Sequence, residues 1–379
     1  MSLTSRERIN KIFKKEKVDR FAIDIGGTNV STLTTEAYES LTDYLGFEMD
    51  SKIMRYYANL SYVGEKIRSL FKADCYPLLL TDESQMGEKV DEDIIEDQWG
   101  VKRKKCGYYY DLYEPPLKGE IGFKNLKNFC WPEPEDLVDL NYLNQEAKYM
   151  YDNTEYALIL VLPLGMVHQA QFIRGFEDWF LDIGGNREIF NHIHNKLLDI
   201  HKKAAKLALD EVGELINAVI YAEDLGMQNS LFVSKEMYRK TIKPYQEEYF
   251  SFLKENYNVN IIYHSCGAIK PLIDDFIDLG IDALNPVQVS AGGMEDTEEL
   301  SNKYSSEIIF WGGGCDTQQV FPHGDLEAVE KEVKNRISDL NNSRNNYVFC
   351  PVHNIQPEVP PENIVKAYKT ALSLTNEGV

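Results

Sequence analysis

Apolar residues along this chain gather in short runs, and each run gives way to small or polar residues within a few positions. Eight runs predict β-strands: Arg20 to Ile25, Cys75 to Leu80, Tyr156 to Leu162, Leu215 to Ala222, Val259 to Tyr263, Ala283 to Asn285, Ile308 to Trp311 and Tyr347 to Cys350. Between most of them apolar residues recur every three or four positions, the period of an amphipathic helix. These stretches are Glu188 to Val212, Lys235 to Tyr257, Ile269 to Leu279, Leu326 to Leu340 and Pro361 to Leu374. Strands alternating with helices pair in parallel, and eight units predict an α/β fold, the (β/α)8 TIM barrel, which needs about 250 residues. A doubly wound open sheet would need a topological switch point and a glycine-rich phosphate turn. Gly26-Gly27-Thr28 is too short to be that turn.

A chain of 379 residues leaves a surplus over such a barrel. Residues 82–150 hold it: they are acidic and aromatic, and Tyr108-Tyr109-Tyr110, Pro115-Pro116 and Trp131-Pro132-Glu133-Pro134-Glu135 interrupt any helical period. The expectation is a single TIM-barrel domain over 1–379 with a lid-like insertion after the second strand. It either crosses the barrel mouth or is a remote structural extension, and loop statistics favour both equally.

Composition narrows the function classes. A formal charge of −21 argues against a nucleic-acid partner, because phosphate neutralisation needs a basic stripe and none is present beyond Lys102-Arg103-Lys104-Lys105. The same charge disfavours a polyanionic substrate. No apolar stretch approaches the roughly 20 residues that span a bilayer, and Thr4-Ser5-Arg6-Glu7-Arg8 lacks an apolar signal core, so a cytoplasmic protein without membrane partners is expected. Cysteines at 75, 106, 130, 266, 315 and 350 are too sparse for a disulfide framework and are packed side chains, metal ligands or reactive thiols.

Reactive groups in a TIM barrel gather at the C-terminal ends of the strands. Here those ends carry Asp24; His168; Glu223, Asp224 and Gln228; His264 and Cys266; Asn285 and Gln288; Asp316 after the glycines 312–314; and Cys350 and His353. In His264-Ser265-Cys266-Gly267 an imidazole and a thiol stand two residues apart where a strand ends, and both are ligand types that Zn2+ prefers. Further ligands would come from Cys350 or His353 and from Glu223 or Asp224. A plainer reading makes His264 a hydrogen-bonded rim residue and Cys266 a packed side chain, with Asp24, Asp316 and Gln288 holding loops. Glu223 and Asp224 are also candidates for a general acid or base.

Taken together, several motifs resemble those of the uroporphyrinogen decarboxylase superfamily, within it the branch of corrinoid-dependent methyltransferases. They are Arg6-Glu7-Arg8 with Asp19-Arg20 and Asp24-Ile25-Gly26-Gly27-Thr28, Asp224-Leu225-Gly226-Met227-Gln228, and His264-Ser265-Cys266-Gly267. They continue through Asn285-Pro286-Val287-Gln288, Trp311-Gly312-Gly313 with Asp316-Thr317-Gln318, and His353-Asn354-Ile355-Gln356 before Val359-Pro360-Pro361-Glu362-Asn363. The superfamily is a TIM barrel, in agreement with the strand count. Its decarboxylases carry arginines just after the first strand, whereas here none follows Asp24 until Arg55.

The resemblance therefore implies a methyltransferase that moves a methyl group between a small methylated substrate, methoxylated or of methylamine type, or a thiol acceptor, and the cobalt of a corrinoid (methylcobalamin) carried by a partner protein. It implies a Zn2+ site of the form His-x-Cys with a distant third thiol. His264 and Cys266 match, and His353 stands where the third thiol is expected, with Cys350 three residues earlier. On the same resemblance Asp224 or Glu223 is a fourth ligand or proton donor and Asp24 supports the site. Gln228 and Gln288 orient substrate, and Asn285, Asp316 and His168 are further substrate contacts. Tyr108, Tyr109, Tyr110 and Tyr113 would form an apolar lid. The alternatives are a uroporphyrinogen-decarboxylase-like enzyme and a non-catalytic barrel that binds a tetrapyrrole or another small molecule.

Overall fold

A computed structural model describes residues 2–49, 52–83, 87–341 and 347–375. Its centre is eight parallel strands: β1 (Ala22–Ile23), β2 (Cys75–Leu78), β3 (Ala157–Val161), β4 (Ala218–Ala222), β5 (Ile261–His264), β6 (Ala283–Asn285), β7 (Ile309–Trp311) and β8 (Tyr347–Phe349). Their ladder runs β1-β8-β7-β6-β5-β4-β3-β2, with helices between the strands, which is the (β/α)8 TIM barrel expected from the sequence. Most of the strands are shorter than the apolar runs, because residues such as Leu215 and Ile216 pack on the core without joining the ladder.

Between β1 and β2 a side chain completes the ring. The Asp74 N–H donates to the Ile23 carbonyl at 2.8 Å, and the Asp74 carboxylate accepts from the Ile23 N–H at 2.8 Å. Asp74 is fully buried, and Arg8 and Arg20 pair with it at 2.6 and 2.7 Å. A buried carboxylate without such partners would cost several kcal/mol. Arg8, which also meets Asp19 at 2.8 Å, and Arg20 thus close the barrel.

Period-two alternation sorts the strand residues into two layers. Ala157, Ile159 and Val161 of β3, and Ala218 and Ile220 of β4, join the barrel interior, whereas Leu158, Leu160, Val219 and Tyr221 pack under the helices. The first inward residue of β1, β3, β4 and β6 is alanine, and the space this leaves is filled by Ile9 and Ile12 of the helix Ser5–Phe13. A capping box between Thr4 and Glu7 starts that helix.

Two predicted helices are broken. Lys235 to Tyr257 is two helices, Lys235–Thr241 and Lys243–Tyr257, because Pro244 has no N–H to continue the first and sits where a new helix tolerates it. Ile269 to Leu279 becomes a 3-10 turn, Lys270–Leu272, and a short helix, Ile273–Asp278, with Pro271 at the start. The insertion is more regular than its composition suggests: Glu88–Asp91, Ile94–Glu96, Lys102–Cys106 and Tyr109–Glu114 form a four-stranded antiparallel sheet. It rests on segments that follow β1, β3 and β8. Tyr110 N–H donates to Tyr57 O at 3.0 Å, Leu117 N–H to Ile173 O at 2.9 Å, and the Tyr109 hydroxyl to Gln356 Oε1. Tyr108 and Tyr113 are more than half exposed, so the four tyrosines do not make an apolar cover. No helix among the described residues is long and apolar enough to cross a membrane.

Candidate metal centre

Ile262 faces the barrel interior, so His264, two residues on, faces it as well, at the C-terminal end of β5. Cys266 follows in the turn, and Gly267 ends it with φ +93°. A Cβ at Gly267 would lie 2.4 Å from the backbone carbon of Gly226, so the loops after β4 and β5 meet backbone to backbone and admit only glycine. From the far side of the mouth comes His353, on the loop after β8. That loop is tied to the one after β1 by Asn354, whose Oδ1 accepts the Thr32 N–H at 2.9 Å and whose Nδ2 donates to Asn29 O at 3.1 Å.

The ligand atoms of His264, Cys266 and His353 all lie within 4.8 Å of one another. His264 Nε2 is 3.4 Å from Cys266 Sγ, and the two imidazole rings are 5.3 Å apart. Tetrahedral Zn2+ with nitrogen and sulfur ligands has ligand–ligand edges of roughly 3.4 Å, so the group fits this ion after a small inward movement of His353. Hydrogen bonding fixes the tautomer it needs. Asn285 Nδ2 donates to Trp311 O at 2.9 Å, which turns Oδ1 toward His264 Nδ1 at 2.5 Å. Nδ1 therefore carries the proton, and Nε2 presents its lone pair to the group.

Burial holds the His264 imidazole below its ordinary pKa against the pull of Asp224, and burial with the nearby His264 pushes His353 down to about 4. Both are neutral at pH 7, the form that ligates a metal. The Cys266 thiol is pushed well up by burial and by the Asp224 carboxylate, so a bound cation is what would make it a thiolate.

Asp224 stands beside this group, its Oδ1 accepting the Cys266 N–H at 2.6 Å and lying 3.8 Å from His264 Nε2. Burial alone would raise its pKa, yet His168, His264 and His353 hold it below the usual carboxylate range. His168 Nε2 is 3.6 Å from Asp224 Oδ2.

Other candidates have different places. Glu223, one residue before Asp224, has the opposite parity and points into the helix layer. It is fully buried, its Oε1 accepting the Val167 N–H at 2.6 Å and the Tyr221 hydroxyl at 3.3 Å, and its Oε2 accepting from Gln246. Burial raises its pKa, but it has no access to a substrate, so it is a structural residue and not a catalytic one. Asp24 is also fully buried and holds Gly27 N–H at 2.7 Å and Trp311 Nε1 at 2.8 Å, with both oxygens engaged. It braces the loop after β1 and is not a reactive group.

Asn285 is 1% exposed and orients His264. Cys350 lies outside the ligand group, buried in the barrel interior with Trp311 and Cys75. Gln288 accepts the Gly267 N–H at 2.6 Å and so holds the loop that carries Cys266 in shape. Gln228 is exposed at the rim and receives Gln318 Nε2 at 3.1 Å, while Asp316 caps its own turn through the Gln318 N–H at 2.8 Å. Strand parity and register were the signals that sort these residues: His264 pairs with Asn285 across β5 and β6, and with Ala222, two residues before Asp224, across β4 and β5.

Comparison with known proteins bears on the family and the fold. The family model described as Uroporphyrinogen decarboxylase (URO-D) matches residues 167–372. No curated protein matches the chain. Among solved structures, a methyltransferase from Methanosarcina mazei superposes with a TM-score of 0.66 at 16% identity, over 98% of this chain and 99% of that one. A GH113 beta-1,4-mannanase gives a TM-score of 0.42 at 10% identity, over 92% of this chain and 98% of its own.

Proposed function

The chain belongs to the uroporphyrinogen decarboxylase family, and from that premise we propose that it is a zinc-dependent methyltransferase acting between a small methylated substrate and the cobalt of a corrinoid on a partner protein. One observation carries the reading: a thiol and two neutral imidazoles converge at the barrel mouth. Three protein ligands leave one position for substrate, the arrangement of a catalytic zinc site. Bound there, Zn2+ would supply Lewis-acid activation of the heteroatom that bears the methyl group, or hold a thiol acceptor as its thiolate. The fold shared with a protein named a methyltransferase supports the reading without fixing the substrate.

The chain's own residues supply position and proton handling. Asn285 keeps the His264 lone pair aimed at the group, and Gln288 with Gly267 keeps Cys266 beside it. Asp224 and His168 face the group from β4 and the helix after β3 and are placed to hold a proton for a substrate heteroatom.

Decarboxylation of a polycarboxylate is disfavoured by what the cations do. Arg68, packed beneath the loop after β1, donates to the carbonyls of Val63, Cys75 and Gly26 at 2.7, 2.6 and 2.7 Å and is 1% exposed. It is a brace, not a carboxylate receptor. Metal analysis of protein purified without added zinc tests the proposal. About one zinc per chain, lost in His264→Ala, supports it; absence of zinc and of zinc uptake, or release of carbon dioxide from uroporphyrinogen, would overturn it.

A further inference from the structure

A second concentration of polar side chains lies between the inserted sheet and the segment after β3. There a cavity of about 80 Å3 is lined by Arg55, Tyr57, Trp99, Arg103, Leu164 and Gln169. Four arginines among the described residues are buried: Arg8, Arg68, Arg103 and Arg174. Three use their guanidinium groups fully. Arg8 binds two aspartates, Arg68 three carbonyls, and Arg174 the Leu117 and Gly119 carbonyls together with Asp182.

Arg103 differs. Its guanidinium lies 4.9 Å from the Tyr57 ring centroid and 4.4 Å from that of Phe172, and its ion-pair partner Asp97 is 3.8 Å away, beyond hydrogen-bond reach. Asp97 Oδ1 is already used by the N–H groups of Trp99 and Val101, each at 3.0 Å. Arg103 Nε has no partner at 6% exposure, and neither has Gln169 Nε2 at 5%. Arg55, the other cation on the cavity, is taken by Glu83.

Buried donors left unmade are expensive, so two such side chains lining one cavity point to an acceptor that arrives from outside. A planar fork flanked by two aromatic rings matches the two oxygens of a carboxylate, and Gln169 adds a third donor. A chain of side-chain contacts links the cavity to the group of His264, Cys266 and His353. Gln169 follows His168 in the helix Met166–Arg174, and Phe172, beneath Arg103, stacks on the His168 ring with centroids 6.1 Å apart and planes at 10°. His168 in turn faces Asp224.

We propose that Arg103 and Gln169 form the subsite for a carboxylate of the substrate, so that the methylated substrate is a small carboxylic acid with its methyl-bearing end directed to the metal group. The substrate class rests on the methyltransferase reading; the carboxylate site itself does not. The cavity accommodates one such group and not a tetrapyrrole, which keeps this proposal distinct from the decarboxylase alternative.

The test titrates the full chain, as purified and after dialysis against a chelator, with sodium acetate and with acetamide as its neutral counterpart at constant ionic strength. Tryptophan fluorescence is the readout, because Trp99 lines the cavity. Saturable acetate binding without acetamide binding is expected in both preparations. Arg103→Gln should weaken acetate at least about tenfold and Gln169→Leu about threefold, with circular dichroism unchanged. Equal binding of acetate and acetamide, no saturable acetate binding, or native acetate affinity in both variants overturns the subsite. Acetate binding in a protein that takes up no zinc supports the subsite while defeating the methyltransferase reading; zinc uptake without acetate binding does the reverse.

Discussion

Replacing Asn285 by alanine tests the logic of the metal group at a residue that is not itself a ligand. The substitution removes the acceptor that holds the proton on His264 Nδ1, 2.5 Å away, and the donor that satisfies Trp311 O at 2.9 Å. Without the acceptor the imidazole is free to move its proton to Nε2, the atom that must bind the ion, and to turn in its pocket. Loss of such an outer partner weakens metal binding about 10- to 100-fold, or roughly 1.4 to 2.7 kcal/mol. The orphaned Trp311 carbonyl separately costs about 1–3 kcal/mol of stability, a drop of about 1–4 °C in melting temperature for a chain of this length. Zinc affinity is measured by competition with a chromophoric chelator at pH 7.5, and stability by thermal melting with chelator in excess. Asn285→Asp separates the two roles: it keeps an acceptor for Nδ1 but loses the donor to Trp311. It should restore most of the zinc affinity and little of the stability. If Asn285→Ala binds zinc within twofold of the native protein while its melting temperature falls, the tautomer argument is wrong.

Three further outcomes follow from other parts of the molecule. Zinc content should fall in Cys266→Ser and His353→Ala but not in Cys350→Ala, because only the first two side chains reach His264; loss in Cys350→Ala alone would reverse that choice of third ligand. Glu223→Gln places an amide where three donors point, and about 1–3 kcal/mol of stability should be lost in denaturant melts while zinc content stays native; zinc loss at native stability would return Glu223 to the site. Burial by itself raises the Asp19 pKa, but the Arg8 guanidinium and the Leu3 N–H pull it down to about 2. A folded pKa below the unfolded value of roughly 3.9 means stability that is present above pH 4 and lost as pH falls through 2, on the order of 2 kcal/mol, and Asp19→Asn should lack this acid-dependent loss.

Much of the fold was legible because hydrophobic period is local. All eight strands stand within the apolar runs or one residue beyond them, and the helix Leu326–Leu340 coincides with its stretch. Breaks at Pro244 and Pro271 were visible as residues but were outweighed by the surrounding apolar period. No local pattern marks the sheet in 88–114, because its strands, notably Glu88–Asp91 and Lys102–Cys106, are largely exposed and bury no regular face. At the site, His264 and Cys266 were readable from their spacing. Glu223 and Asp224 were not separable by type, since both are acids at the end of one strand, yet parity alone sends one into the helix layer and the other to the mouth.

The sequence by itself determined the barrel strands, their parallel pairing and the chemical kinds of side chain that collect at the strand ends, since each of these depends on neighbours a few positions apart. Closure of the barrel was needed to decide the rest. It brought His353 across to His264 from 89 positions away in the numbering, left Cys350 in the interior, and gave Asn285 and Gln288 hydrogen bonds that hold His264 and the loop of Cys266 in place. It also laid Arg103 of the insertion over Phe172 beside an empty-handed Gln169. Such juxtapositions depend on ladder register and on which loops touch, and these are set by the packing of the whole ring, not by any local run of residues.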